Sequence, residues 1–328
     1  MFRESSKDIV MERRIFNTSL LAGAGSFLIP QVVAAAPKTI RIIVPFTAGS
    51  GSDEGARFYA EKLGEILNRS IVVENKPGAS GLIAVKTVLA EPADGNTVLL
   101  ASNSVVSVNP AVNPNLGYDP FKEIVPVHGM GISSVAMISG KGSDINEIKD
   151  IQEKYRKIKA PLAVGNYSDG YRLISEWLSQ ALGVEVSPVN YKGGSPMVTD
   201  IIGNRLEMGL NDIGGILQMY RGGKLNVLAT TGNKRDKELP KVPTMMELGY
   251  KDFETYVWTS LYMKKGTDVG WIKEFAAAVA KFQASDAGKA YEASRPGEFL
   301  SISMDEMGEF QRKEFNRFKS ILEKSRKV

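Results

Sequence analysis

The 328-residue chain contains no cysteine and a single histidine, His128. The first absence excludes disulfides, thiolate nucleophiles and thiolate metal sites. It is compatible with export to an oxidising compartment. The second argues against a metal site built on imidazoles and against a Ser-His-Asp triad. No Gly-x-Ser-x-Gly elbow occurs either. Net charge is scarce: 41 basic and 37 acidic residues are interspersed along the chain and leave +4. That is too mild to call for a nucleic-acid partner. There is no low-complexity tract and no short-period repeat. What is present is ordinary for a globular protein of one or two domains, with 43% hydrophobic and 24% charged residues.

The N-terminus reads as an export signal, residues 1–36. Glu12-Arg13-Arg14-Ile15-Phe16 supplies a basic start, and Leu20 to Val33 an apolar, Ala/Gly-rich run. Val33-Ala34-Ala35-Ala36 offers small residues for cleavage after Ala36 or one residue earlier. Met11 is an alternative start, because Met1 to Val10 is polar. The Arg13-Arg14 pair fits twin-arginine export, and Sec export is equally open. An uncleaved anchor is the competing reading. The run is short and broken by Gly23, Gly25 and Pro30, which favours cleavage and a periplasmic mature protein. No later run is long enough to cross a bilayer.

The mature chain is organised around Arg41 to Asp53. The β-branched run Arg41-Ile42-Ile43-Val44 stops at Pro45, a loop of small residues follows (Ala48-Gly49-Ser50-Gly51-Ser52), and an amphipathic helix begins at Asp53. A backbone without bulky side chains at a helix N-terminus favours an anion, a carboxylate or a phosphate. The loop lacks both the Walker Gly-Lys-Ser/Thr ending and the third glycine of a dinucleotide fingerprint. A helix over 53–68, strands over 71–74 and 97–101, and a helix over 82–90 complete a βαβαβ unit with parallel strands. Its loops, including Pro77–Gly81 and Ser102-Asn103-Ser104, gather at the carboxyl edge of the sheet, where such folds bind ligands. Ile124–His128 reads as a crossing strand. A second α/β unit follows, with loops at Gly165–Gly170 and Tyr191–Ser195 and with Asn211-Asp212 just after a strand. Val269–Lys327 reads as helical. Two lobes facing a cleft are expected.

Six ordered motifs carry a family resemblance. They are Pro45-Phe46-x-x-Gly49-x-x-x-Asp53-x-x-Ala56-Arg57; Val72-Val73-Glu74-Asn75-Lys76-Pro77-Gly78-Ala79-Ser80-Gly81; Asp94-Gly95-x-Thr97-x-Leu99-Leu100; Tyr118-Asp119-Pro120; Tyr191-Lys192-Gly193-Gly194; and Val242-Pro243-Thr244-x-x-Glu247-x-Gly249. From about Ile40 to the C-terminus the chain resembles the Bug-type periplasmic receptors of tripartite tricarboxylate transporters. The resemblance implies a type II periplasmic binding-protein fold, two α/β lobes around a central ligand cleft. Lobe 1 is expected at 37–125 and 235–328, and lobe 2 at 126–234. It further implies a monomeric receptor that is not an enzyme, takes a small carboxylate, needs no cofactor or metal, and delivers to integral-membrane permease subunits. The first-lobe contacts would come from Phe46, Ala48, Gly49, Ser50, Gly51, Ser52 and Asp53, with Gly78, Ala79, Ser102 and Asn103. The second-lobe contacts would come from Asn166, Tyr167, Ser168, Gly170, Tyr171 and Arg172, with Tyr191, Asn211 and Asp212 on the wall. This chain departs from the family pattern at Ser50, where a second glycine is usual, and at Tyr171-Arg172-Leu173, where a Ser-x-x-His-Leu pattern is usual.

Individual residues leave alternatives open. Asp53 would bind a ligand ammonium or, favoured by its place, cap the helix. Arg172 would pair bidentately with a diacid or simply be a solvated surface residue. Tyr167 and Tyr171 would stack on an aromatic acid. Tyr191 suits wall or core. Trp177 and Trp258 fall on apolar faces and read as core, His128 as a structural polar residue, and Asp169 as a turn residue. The competing functions are an exported α/β enzyme acting on an anionic substrate and a ligand-sensing co-receptor of a signalling system.

Overall fold

The first unit is built on β1 (Ile40–Val44), whose Ile40, Ile42, Ile43 and Val44 are completely buried. A parallel central strand covered by helices has no polar face to show, so it reads as a continuous apolar run. The computed structural model describes residues 39–113 and 115–325; the expected export signal lies outside them. α1 (Gly51–Leu67) crosses over to β2 (Ile71–Asn75), and α2 (Leu82–Ala90) leads to β3 (Thr97–Ser102). Both strands pair in parallel with β1. After β3 the chain makes a π-type turn, Ser104–Val108, and runs into α3 (Asn109–Val112). The sequence predicted a loop here. The turn is held by distant side chains: the Tyr118 hydroxyl donates to Val105 O at 2.6 Å and Gln311 Nε2 to Val106 O at 3.0 Å.

β4 (Ile124–Gly140) is far longer than the predicted Ile124–His128. The second unit then follows as α4 (Ile148–Ile158), β5 (Leu162–Asn166), α5 (Asp169–Leu182), β6 (Val186–Asn190), α6 (Gly194–Ile202), β7 (Met208–Asp212), α7 (Leu217–Arg221) and β8 (Leu225–Thr230). The chain returns through β9 (Tyr256–Lys264) and ends in α8 (Val269–Ala284), α9 (Asp286–Ala293) and α10 (Met304–Ser325). The strand order is β2-β1-β3-β9-β4-β7-β5-β6, with β8 also on β4. Two parallel groups, β2-β1-β3 and β7-β5-β6, thus flank the antiparallel pair β9 and β4.

β4 belongs to both halves. Residues up to Ser134 pair with β9, and from Val135 onward they pair with β7 and β8. The handover is tied by Thr231. Its Oγ1 accepts Val135 N–H at 2.9 Å and donates to Thr255 O at 2.5 Å, and its backbone bonds both Val135 and Thr255. Nothing local in the sequence signals this, because the pairing partners lie about a hundred residues away.

The predicted C-terminal helix is interrupted. Between α9 and α10, residues 294–303 bridge to β4 at Ile132–Glu298 and His128–Ser303. Pro296 cannot continue the helical ladder, and Gly297 takes φ +77 with its backbone against Ile132. The sequence does carry this break, in Arg295-Pro296-Gly297.

Candidate functional site

The loop after β1 is fixed from within. Ser50 caps α1, its Oγ accepting Asp53 N–H at 3.2 Å. The Asp53 carboxylate turns away from the cleft and holds the loop: it accepts Gly49 N–H at 2.9 Å, Asn75 Nδ2 at 2.9 Å and the Arg57 guanidinium at 3.0 and 3.1 Å. Burial alone would raise its pKa, but the Arg57, Gly49 and Asn75 contacts outweigh burial and hold it below the usual range. The expected helix cap at Asp53 is thus corrected: α1 begins two residues earlier with Ser50 as its cap, and Asp53, in the first turn, braces the loop instead. In the first turn of α1, Gly51 and Ser52 N–H have no intrahelical acceptor, and both residues line a cavity.

That cavity, about 160 Å³, lies between the halves. Among the sequence-predicted residues it is lined by Phe46, Ser50, Gly51, Ser52, Ser102, Asn103, Tyr167, Tyr171 and Asp212. A second group, Gly78, Ala79, Asn166, Ser168, Arg172 and Tyr191, lines a neighbouring cavity of about 280 Å³, and Tyr167 borders both. Gly78-Ala79-Ser80-Gly81 there runs with positive φ at all four residues, a conformation Ala79 and Ser80 adopt at a cost. Ala48, Gly49, Asp53, Gly170 and Asn211 line neither cavity and support those that do. Arg172 is engaged by Asp169 at 3.1 Å and Glu176 at 2.5 Å. The Tyr191 hydroxyl donates to Asp200 at 2.9 Å.

The two halves meet beside the first cavity at small residues. A Cβ at Gly193 would lie 2.2 Å from Thr47 Oγ1, one at Gly170 2.3 Å from Ser104 Oγ, and one at Gly51 2.2 Å from Asp212 Oδ1. Ser104 Oγ and Ser168 Oγ are 2.9 Å apart, and the Phe46 ring meets Tyr167 edge-on at 5.7 Å. The Tyr167 hydroxyl oxygen lies 2.8 Å from Asn211 Oδ1 and 3.1 Å from both Asp212 Oδ2 and Tyr171 Oη. Burial pushes both tyrosine pKa values well up, so the hydroxyls stay protonated and can donate. Burial also raises the Asp212 pKa, with Glu54 acting the same way and the Gly215 N–H and Tyr167 contacts opposing.

Sequence reasoning missed part of the wall. Tyr59, Met130, Ile132, Tyr291, Arg295 and Phe299 supply its apolar end and rim. Residues 291–299 were hidden by the prediction of an unbroken helix. Trp258 is buried as predicted, at 1% exposure, yet it lines the cavity. Its indole N–H, Ser102 Oγ and Asn103 Oδ1 have no hydrogen-bond partner among the described residues. Buried polar groups normally find one. His128, as predicted, is a structural polar residue: it is buried and its Nδ1 sits 2.7 Å from Gly129 O.

Residues 56–326 match the protein family described as tripartite tricarboxylate transporter family receptor. Protein BugT of Bordetella pertussis is 30% identical over 261 residues, 76% of this chain and 80% of that protein. The solved structure of R. palustris Rpa4515 with adipate superposes with a TM-score of 0.84 at 27% identity, covering 88% of this chain and 98% of the other. The periplasmic binding protein BugD gives 0.82 at 27% identity, covering 88% and 97%.

Proposed function

Since the chain belongs to the tripartite tricarboxylate transporter receptor family, we propose that it is a periplasmic receptor that closes two lobes over a small carboxylate and passes it to membrane permease subunits. The observation that carries this reading is the first turn of α1 at Gly51 and Ser52, whose N–H groups have no intrahelical acceptor, in the wall of a cavity between the halves. Donors fixed by the backbone, at the positive end of a 17-residue helix, suit an anion without a paired cation. The size agrees: a cavity of roughly 150 Å³ holds a benzene molecule. Among the described residues no helix is long and apolar enough to cross a membrane. We place the hinge at Ser134/Val135, where β4 changes partners, and at Thr231/Thr255, the two ends of the segment that returns from β8 to β9. Ligand that touches both walls then shifts the population toward the closed form, with no bond made or broken.

A thermal-shift panel tests this. It holds aliphatic di- and tricarboxylates, aromatic acids and neutral sugars, applied to protein unfolded and refolded to release bound ligand. An acid at a hundred times its Kd adds about 2.7 kcal/mol and raises Tm. Acids of at least one class are expected to do so and sugars are not; silence across all acids would sink the carboxylate reading.

A further inference from the structure

We propose that the ligand of the first cavity carries a hydrogen-bond donor, a hydroxyl or an ammonium, on the carbon next to its carboxylate, and that Asp212 reads that group. This rests on the carboxylate reading above and narrows it. The Gly51 and Ser52 N–H groups are the donors for the carboxylate. Asp212 lies directly beside them: its Oδ1 would be 2.2 Å from a Cβ at Gly51, so it packs on the Gly51 Cα. Oδ1 already accepts Gly215 N–H at 2.7 Å. Among the described residues Oδ2 is hydrogen-bonded only by the Tyr167 hydroxyl, which has a single proton and lies closer to Asn211 Oδ1. Oδ2 therefore has acceptor capacity left, within one residue of the carboxylate donors.

The first-lobe wall repeats the demand. Asn103 is 2% exposed, and its Nδ2 is committed to Tyr256 O at 3.2 Å, which fixes the amide with Oδ1 free. That oxygen is an acceptor without a partner among the described residues. The remaining charged groups of the wall are engaged. Arg295 pairs with Glu54 at 2.6 Å, Glu298 with Lys234 at 2.7 Å, and Glu292 accepts Phe299 N–H at 2.6 Å. A plain dicarboxylate ionised at both ends brings acceptors only. It leaves both Asn103 Oδ1 and Asp212 Oδ2 without a donor from the ligand. A donor on the adjacent carbon answers the nearer acceptor, and an ammonium also answers its charge.

The test is calorimetric titration of the refolded protein with matched sets: succinate, malate and aspartate; glutarate, 2-hydroxyglutarate and glutamate; phenylacetate, mandelate and phenylglycine. In at least one set a substituted member is expected to bind about tenfold tighter than its parent acid, or better. Asp212→Asn, checked for an intact melting transition, is expected to shrink that margin, and more for the amino than for the hydroxy member. The wild-type comparison stands even if the variant misfolds. Parent acids that bind as tightly as their substituted members in every set that binds would overturn the proposal, and so would a margin unchanged in Asp212→Asn. No heat from any acid would instead defeat the carboxylate reading itself, and this inference with it.

Discussion

Gly193→Ala is expected to weaken ligand binding by roughly tenfold to a hundredfold while leaving the melting temperature of the ligand-free protein nearly unchanged. Gly193 sits at φ −179 and ψ 172 as the cap of α6, an extended conformation that alanine adopts freely. The cost arises elsewhere. The new Cβ would stand 2.2 Å from Thr47 Oγ1, 2.7 Å from its Cγ2 and 3.0 Å from its Cβ. Thr47 is β-branched and short, so no rotamer removes all three contacts. Overpacking of this kind costs about 1–3 kcal/mol. It is charged only to the arrangement in which the walls touch, and each ~1.4 kcal/mol against the binding-competent form multiplies the apparent Kd about tenfold. Restoring the space from the other side, with Thr47→Gly in the same chain, is expected to recover most of the affinity. Calorimetric titration beside a melting curve measures both quantities. Unchanged affinity would mean that binding does not bring these walls together.

Phe282→Ala is expected to cost about 3–5 kcal/mol of stability, read by chemical denaturation. Phe282 is 1% exposed on α8 and sits at the centre of an aromatic cluster. Its ring centroid lies 4.9 Å from Tyr59, 5.8 Å from Phe58, 6.0 Å from Phe299 and 6.3 Å from Tyr291. Three of those rings, Tyr59, Tyr291 and Phe299, line the first cavity. Tyr59 is also held by hydrogen bonds, its hydroxyl 3.0 Å from both Met130 O and Gln283 Nε2. Removing the central ring leaves a void that the pinned neighbours fill only in part, so affinity falls along with stability. Phe282→Leu keeps most of the volume and is expected to lose well under half as much of both. A loss near 1 kcal/mol for the alanine variant would show that the cluster collapses freely and does not shape the cavity.

The elements set by local pattern were legible in the sequence. β1, the small-residue loop and α1 follow from a β-branched run, a proline stop and an amphipathic pattern, although the cap is Ser50 and not Asp53. The two-lobe α/β fold and the receptor family were legible from motifs spread along the chain. The first-cavity residues Phe46, Ser50–Ser52, Ser102, Asn103, Tyr167, Tyr171 and Asp212 were within reach because strand-end loops of parallel sheets converge. What escaped was non-local. The length of β4 depends on partners in β9, β7 and β8, and Gly129 and Gly131 within it weaken any strand signal. The wall segment 291–299 depends on pairing with β4, although Pro296-Gly297 announced a break. Asn211 and Asp212 end β7 instead of following it, which aims Asp212 at α1. Trp258 looked like core and is core, but that its indole N–H has no partner among the described residues is visible only in three dimensions.

The central claim is that a small carboxylate binds in the cavity between the lobes, and Trp258 reports on that cavity directly. The other two tryptophans are occupied elsewhere, Trp177 stacked on Phe253 at 4.4 Å and Trp271 bonded to Gly95 O at 3.1 Å. Titration of the refolded protein with the acid panel, followed by tryptophan emission, is therefore the most direct measurement. A saturable change with an acid is expected in the wild-type chain, absent with neutral sugars and lost in Trp258→Phe while the heat of binding remains measurable. An acid that binds by calorimetry but leaves the Trp258 emission untouched would place its site outside this cavity and contradict the account.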